Sequence, residues 1–335
     1  MKRNILISTG GSGGHVIPAT ILYEHLKNEF NIFISSDERG IQFLDKEKYK
    51  VKIINVPKIS KNIFFIPFQF FLLLGSFIKS FFFLKKYKIE ILISTGGYMS
   101  VPLCLASKLY NIKLFLIEPN MVLGRSNKLF LSFCTKVFCY SEKIKNFPNK
   151  FKDKKILIFP LLRKEFYGNR QIEEWGKKVH LLIIGGSQGA ALFDNIIESI
   201  VEINKKYQIK IYQQTNYNNH QKLKNYYLSN SIDNELFDFN EDISKIMRKS
   251  NFCISRAGAS TLAELIFLNI PHIAIPLLSS KDNHQYENAL FYEQLGCNWI
   301  MNQNEISKAN LTNKLVKIIE NKEDYFDKQK NMKNF

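Results

Sequence analysis

Several absences narrow the reading of this chain. Its five cysteines, Cys104, Cys134, Cys139, Cys253 and Cys297, form no C-x-x-C and have no paired histidines beside them. Structural zinc is therefore not expected, nor is a disulfide framework at this length, and a reducing cytoplasm fits. No Asp-x-Asp pair occurs, so the closely spaced carboxylates that would hold Mg²⁺ are lacking and no metal site is expected. The apolar run Ile5–Ile7 is too short for a signal peptide. No RNP, zinc-finger or zipper pattern points to nucleic acid. Acidic residues are also few: 30 Asp and Glu stand against 47 Lys and Arg, a net charge of +17. That balance favours anionic partners such as diphosphates or acidic lipid surfaces. A lysine-rich surface with no specific partner would give the same balance.

With 335 residues, 45% hydrophobic and 23% charged, the chain has the make-up of a globular protein with room for two domains. Apolar runs that read as strands recur at Ile5–Ser8, Ile32–Ser35, Val51–Val56, Ile89–Ser94, Lys113–Ile117, Lys136–Tyr140 and Ile156–Phe159. A second series follows at Val179–Ile184, Ile209–Gln213, Leu236–Phe239, Phe252–Ser255, His272–Ile275 and Asn298–Met301. Buried strands alternating with longer mixed segments predict parallel sheets with crossover helices, hence two doubly wound α/β domains. The boundary is expected near Pro160–Lys178, and the site in the cleft between the domains, beyond the carboxyl ends of the strands.

The stretch Ile5–Ala19 organises the rest. Its apolar run ends in Gly10, Gly11, Gly13 and Gly14, then His15 and Pro18, a proline that could open a helix. It matches neither the P-loop, since no Gly-Lys-Ser/Thr follows, nor the spacing G-x-G-x-x-G. A strand–loop–helix of this kind offers backbone N–H groups to an anion, and His15 adds a group that can move a proton. A tight turn with a solvated histidine is the plainer alternative.

Further glycine turns follow strands. Thr95–Pro102 contains Gly96, Gly97 and Tyr98, and two such turns in one domain could hold a diphosphate between them. Glu118-Pro119-Asn120 places a carboxylate and an amide on the same sheet edge as His15, or simply makes a surface turn. Gly185–Ala190 includes Ser187 and Gln188. Ser255–Glu264 runs from a strand into a helix expected to begin near Ala259, with Glu264 placed for ribose hydroxyls or only for the helix dipole. In Lys281–Ala289, Asp282 reads as an N-cap, and Gln285 and Asn288 share a helix face suited to a sugar.

One segment breaks the pattern. Ile63–Leu84 is almost wholly apolar and nearly as long as the roughly 20 residues that span a bilayer. A spanning helix there would put strands of one sheet on opposite sides of a membrane. A helix or hairpin lying in the membrane interface, with Lys85, Lys86 and Lys88 toward acidic headgroups, is the preferred reading. A buried crossover helix is the alternative.

Six motifs in this order and spacing (Gly10–Ala19, Thr95–Pro102, Glu118–Lys128, Gly185–Ala190, Ser255–Glu264 and Lys281–Ala289) resemble the MurG family of bacterial glycosyltransferases, from about residue 4 to about residue 320. The resemblance implies two Rossmann-like domains of the GT-B architecture: residues 1–160 for the acceptor and membrane, and 161–321 for the donor. A C-terminal helix at about 322–335 would return to the first. It implies transfer of N-acetylglucosamine from UDP-N-acetylglucosamine to undecaprenyl-diphosphate-linked muramyl-pentapeptide, without a cofactor, on the cytoplasmic face of the bacterial inner membrane. An anionic membrane surface would be met through Ile63–Lys88, and no nucleic acid is involved.

The resemblance also assigns residues. His15 would be the base and Glu118 its alternate. Ser12, Gly13, Gly14, Asn120, Arg163, Ser187, Gln188, Ile243, Ala259, Ser260, Thr261, Leu262, Ala263, Glu264, Gln285 and Asn288 would bind the donor. Gly13, Gly14, Gly96, Gly97 and Tyr98 would meet the acceptor's diphosphate. Ile117, Pro119, Asn283 and His284 depart from the family's usual residues. A UDP-N-acetylglucosamine 2-epimerase, a transferase acting on diacylglycerol and a silent nucleotide-binding protein remain as rivals.

Overall fold

The structure, a computed structural model, describes residues 2–56, 66–168, 175, 178–186, 190–193, 196–238 and 242–334. The chain divides into two compact units, Met1–Leu161 and Leu162–Phe335. In the first, seven parallel strands run in the order β3-β2-β1-β4-β5-β6-β7. They are β1 (Asn4–Ser8), β2 (Asn31–Ser36), β3 (Val51–Ile53), β4 (Ile91–Ser94), β5 (Lys113–Glu118), β6 (Lys136–Cys139) and β7 (Lys155–Leu157). In the second, six run as β10-β9-β8-β11-β12-β13. These are β8 (Lys178–Ile184), β9 (Gln208–Gln214), β10 (Asp233–Phe237), β11 (Phe252–Ser255), β12 (His272–Ala274) and β13 (Trp299–Ile300). Two doubly wound α/β halves are thus present as expected, and every expected strand run overlaps a strand.

The strands form where the apolar runs lie because both faces of a parallel sheet are covered. Ile7 pairs with Ile34 on one side and Ile93 on the other, and all three are buried. Chain order reverses between β1 and β4 and again between β8 and β11. Loops beyond the carboxyl ends of those strands flank the switch points at which ligands bind in such sheets. The glycine motifs follow these four strands.

Two local expectations change. Pro18 lies inside the helix Gly13–Leu26, which starts five residues earlier with Ser12 as its N-cap residue. Asp282 is not an N-cap: it has φ 53, and the helix His284–Gln294 is entered through Asn283, itself left-handed at φ 54. The last helix, Lys322–Lys333, contributes to the second unit's core. There Tyr325 stacks on Trp175 at 4.0 Å and accompanies buried Met332.

The segment Ile63–Leu84 is a helix from Ile66 to Lys86; residues 63–65 lie outside the described ones. Its packed face carries Gln69, Ser76, Ser80 and Leu84, all buried. Ser76 donates to the carbonyls of Leu72 and Asn55 at 3.0 Å, and Ser80 to that of Ser76 at 2.8 Å. Its outer face shows Phe70, Phe71, Leu74, Ile78 and Phe82. Among the described residues no helix is long and apolar enough to cross a membrane.

Candidate active site

In the first unit the two glycine turns meet at one imidazole. The helix Gly13–Leu26 leaves its first N–H groups without intrahelical partners, and Gly13 and Gly14 form its first turn. His15 is half-buried, and its Nδ1 lies 2.8 Å from the Thr95 carbonyl. A carbonyl only accepts, so Nδ1 carries the proton and Nε2 is the basic nitrogen of the neutral ring. Gly96 (φ 91) and Gly97 (φ 80) lie against that ring. A β-carbon on Gly96 would stand 3.2 Å from its Cε1, and one on Gly97 3.3 Å from its Cδ2. Both the backbone conformation and the contact with His15 call for glycine.

Glu118 is fully buried at the end of β5. Its Oε1 accepts from the backbone N–H and side-chain amide of Asn120, both at 3.2 Å. Oε2 accepts from the Gly124 N–H at 2.7 Å and from the Asn127 amide at 3.0 Å. Burial pushes its carboxyl above the usual range, while these four N–H donors act the other way. Both oxygens are engaged by the loop, so Glu118 fixes the placement of Asn120. Asn127, which the sequence reading missed, links this loop to β5 by donating to the Ile117 carbonyl at 3.0 Å.

Asp37 and Arg39 were also missed. Asp37 follows β2, is buried, and accepts from the Gly11 N–H at 2.8 Å and the Gly40 N–H at 3.1 Å. Arg39 pairs with it at 2.7 Å and reaches the Tyr98 hydroxyl at 2.5 Å. The available signal was an acid at a strand end two residues before an arginine and three before a glycine.

In the second unit Arg163 and Glu264, assigned separate donor contacts, are brought together. Arg163 donates to Glu264 Oε1 from Nε at 3.0 Å and from Nη2 at 2.7 Å. Burial raises the Glu264 carboxyl and the guanidinium opposes that rise. The helix Ala259–Phe267 begins where expected, after Gly258. Ala259, Ser260 and Thr261 are partly exposed at its N-terminus, whereas Leu262, Ala263 and Glu264 are buried. Leu262 and Ala263 sit in the core, so only their backbone could serve a ligand. Gly186 (φ 66) donates its N–H to Gln214 Oε1 at 3.0 Å. Ser187 and Gln188 lie outside the described residues.

Gln285 accepts from the Leu277 N–H at 3.0 Å, and buried Asn288 donates to the Ala257 carbonyl at 3.2 Å. Both therefore brace loops at the ends of β12 and β11. Ile243 opens the helix Ile243–Arg248 and packs with Phe237 and Met247. Among the described residues no group of three or more His, Cys, Asp or Glu could hold a metal ion. The five cysteines are buried and unpaired, with burial pushing Cys104 and Cys139 up to about 12.

Comparison with known proteins places this arrangement. The glycosyltransferase family 28 N-terminal domain matches residues 5–139, and the glycosyltransferase family 28 C-terminal domain matches residues 180–335. A protein of Pelagibacter ubique (strain HTCC1062) named UDP-N-acetylglucosamine–N-acetylmuramyl-(pentapeptide) pyrophosphoryl-undecaprenol N-acetylglucosamine transferase is 56% identical over 336 residues, covering 100% of this chain and 94% of its own. The protein of the same name from Rickettsia canadensis (strain McKiel) is 34% identical, with 96% of this chain and 92% of its own covered. The crystal structure of Acinetobacter baumannii MurG superposes with a TM-score of 0.76 at 22% identity, covering 100% of this chain and 95% of that one. A UDP-GlcNAc 2-epimerase from Neisseria meningitidis, bound to UDP-GlcNAc, gives 0.61 at 17% identity, covering 97% and 94%. These two structures show the fold, while the family models and the whole-chain identities go further: the chain belongs to glycosyltransferase family 28, among the MurG-type transferases.

Proposed function

We propose that this chain transfers N-acetylglucosamine from UDP-N-acetylglucosamine to the C4 hydroxyl of the muramyl sugar on undecaprenyl-diphosphate-linked muramyl-pentapeptide, in peptidoglycan synthesis. The observation that carries the reading is the 56% identity, along the whole chain, to a relative named for that reaction.

The first unit supplies the acceptor's seat and the base. His15 Nε2 takes the proton of the acceptor hydroxyl as its oxygen attacks the anomeric carbon. The sugar–phosphate bond breaks with inversion and UDP leaves with the electron pair. The tautomer fixed by Thr95 supports this role. Gly13 and Gly14 at a helix N-terminus, with Gly96, Gly97 and Tyr98 beside them, suit the acceptor's diphosphate. Glu118 acts as a positioning residue for Asn120.

The second unit seats the donor. The N-terminus of the helix Ala259–Phe267 meets the charge that develops on the departing UDP. Arg163 and Glu264 present one preformed polar pair to the nucleotide, Ile243 an apolar contact, and Ser187 and Gln188, from the Gly185–Ala190 sequence motif, further donors. The chemistry draws on no cofactor. We further propose a peripheral place at the cytoplasmic face of the inner membrane, supported by the outward aromatic side chains of the helix Ile66–Lys86 and by Lys85 and Lys86 at its end.

The test is to incubate the protein with labelled UDP-N-acetylglucosamine, with and without the muramyl-pentapeptide lipid, in EDTA. Label appearing in the lipid only when acceptor is present supports the reading. Epimerised donor formed without acceptor would replace it with the isomerase reading, and UDP binding with neither product would leave a silent nucleotide-binding protein.

A further inference from the structure

Each unit ties its first glycine turn to the end of the neighbouring strand. In the second unit the acceptor for the Gly186 N–H is the neutral side chain of Gln214, at 3.0 Å. In the first it is Asp37, 3% exposed, which takes the Gly11 N–H at 2.8 Å. A neutral amide performs this task adequately, and a buried carboxylate carries a desolvation penalty unless it is paired. The charge on Asp37 therefore needs a second use.

That use is visible on its other oxygen. Asp37 Oδ2 takes Arg39 Nε at 2.7 Å. The same guanidinium extends Nη2 to the Tyr98 hydroxyl at 2.5 Å and lies 5.0 Å from the centre of the Tyr98 ring. Tyr98 directly follows Gly96 and Gly97, the residues against which the His15 ring is seated. A continuous link thus runs from the first glycine turn through Asp37, Arg39 and Tyr98 to the second turn. Only a planar, forked cation spans both partners; an ammonium is a single point. Gly40 completes the junction, because a side chain there would run into Ser36 and the backbone of Gly10.

We propose that Asp37 and Arg39 are a positioning pair that sets the spacing of the two glycine turns, and with it the seat of His15 and of the acceptor's diphosphate. The proposal rests on the transferase reading above. Arg39 is about one-third exposed but Asp37 is buried, so losing the guanidinium also costs stability, because it leaves a buried carboxylate with only its two backbone N–H donors. The pair's worth to the reaction is geometric, since a displacement of about 1 Å at a reacting group lowers rates by roughly 10²-fold.

The experiment compares Arg39→Ala, Arg39→Lys, Tyr98→Phe and the double variant Arg39→Ala/Tyr98→Phe in the full-length protein, with kcat and both KM values measured beside thermal unfolding. Arg39→Ala is expected to lower kcat by roughly 10- to 100-fold and raise the KM for the lipid acceptor, leaving the KM for UDP-N-acetylglucosamine unchanged. Its melting temperature should fall, because Asp37 stays buried without its cation, and kinetics are therefore read well below that temperature. Arg39→Lys should fall between, retaining the link to Asp37 but not to Tyr98. The double variant should be no slower than Arg39→Ala alone, because both changes cut one link. Wild-type kcat and acceptor KM in Arg39→Ala, an equal rise in donor KM, or multiplied losses in the double variant would overturn the proposal. His15→Ala, run in parallel, separates the failures. Were it inactive while Arg39→Ala was normal, only the positioning pair would be wrong; were it active, the assignment of the base would fall as well.

Discussion

In the second unit the helix Lys308–Glu320 buries Leu311, Leu315, Ile318 and Ile319 and exposes Lys308, Asn310, Asn313, Lys317 and Glu320. In the first, Ile66–Lys86 does the reverse, packing Gln69, Ser76 and Ser80 inward and leaving Phe70, Phe71 and Phe82 at 61%, 68% and 62% exposure. Both belong to one doubly wound plan, so the sheet does not dictate the difference. The inward serines satisfy their hydroxyls on backbone carbonyls and are small enough for close helix packing. An apolar outer face has no such internal explanation; exposed apolar patches mark interaction surfaces. The sites can be compared too: both units set an arginine–carboxylate pair beside their glycine turns, but the first unit's turns also hold an imidazole.

The sharpest break of this contrast is His15→Ala. Loss of positioned base catalysis should lower kcat by about 10²- to 10⁴-fold, read by label transfer at saturating substrates. Arg163→Ala comes next, because it leaves Glu264 buried without its partner. We expect a loss of about 3 kcal/mol in stability by urea unfolding, together with weaker donor binding. Replacing both residues with apolar ones of similar size should restore much of the stability without restoring the donor.

Glu118→Gln gives a smaller, pH-dependent effect. The folded pKa of Glu118 lies above its unfolded value, so its contribution to stability is fully present below about pH 4.3 and is lost as pH rises through the folded value. Glutamine does not titrate, so the stability of the wild type relative to the variant should fall as pH rises from about 4, measured as urea midpoints across that range. The smallest effect on folding belongs to Phe70→Ser and Phe71→Ser. Each should change stability by no more than about 0.5 kcal/mol, while sedimentation with vesicles rich in acidic lipid falls. Unchanged vesicle binding would remove the membrane role from this face.

Much of the fold was legible because parallel strands buried on both faces leave continuous apolar runs, as at Ile5–Ser8 and Val179–Ile184. Ends were less legible. β10 begins at Asp233, where the local residues are polar and only pairing with β9 makes a strand. At the site, glycine turns and His15 stand out in one dimension, since they are rare residues in tight clusters. The Arg163–Glu264 contact joins residues 101 positions apart, so each residue looked like an independent ligand. Asp37 and Arg39 escaped notice because an acid and a base two residues apart resemble an ordinary surface pair until the fold carries Tyr98 to them.

The division of labour is tested most directly by titrating UDP-N-acetylglucosamine into His15→Ala and measuring its dissociation constant beside that of the wild type. The account predicts an unchanged constant in a protein that no longer transfers the sugar. A dissociation constant weakened in proportion to the lost turnover would contradict it, because the histidine would then be holding the donor rather than moving the acceptor's proton.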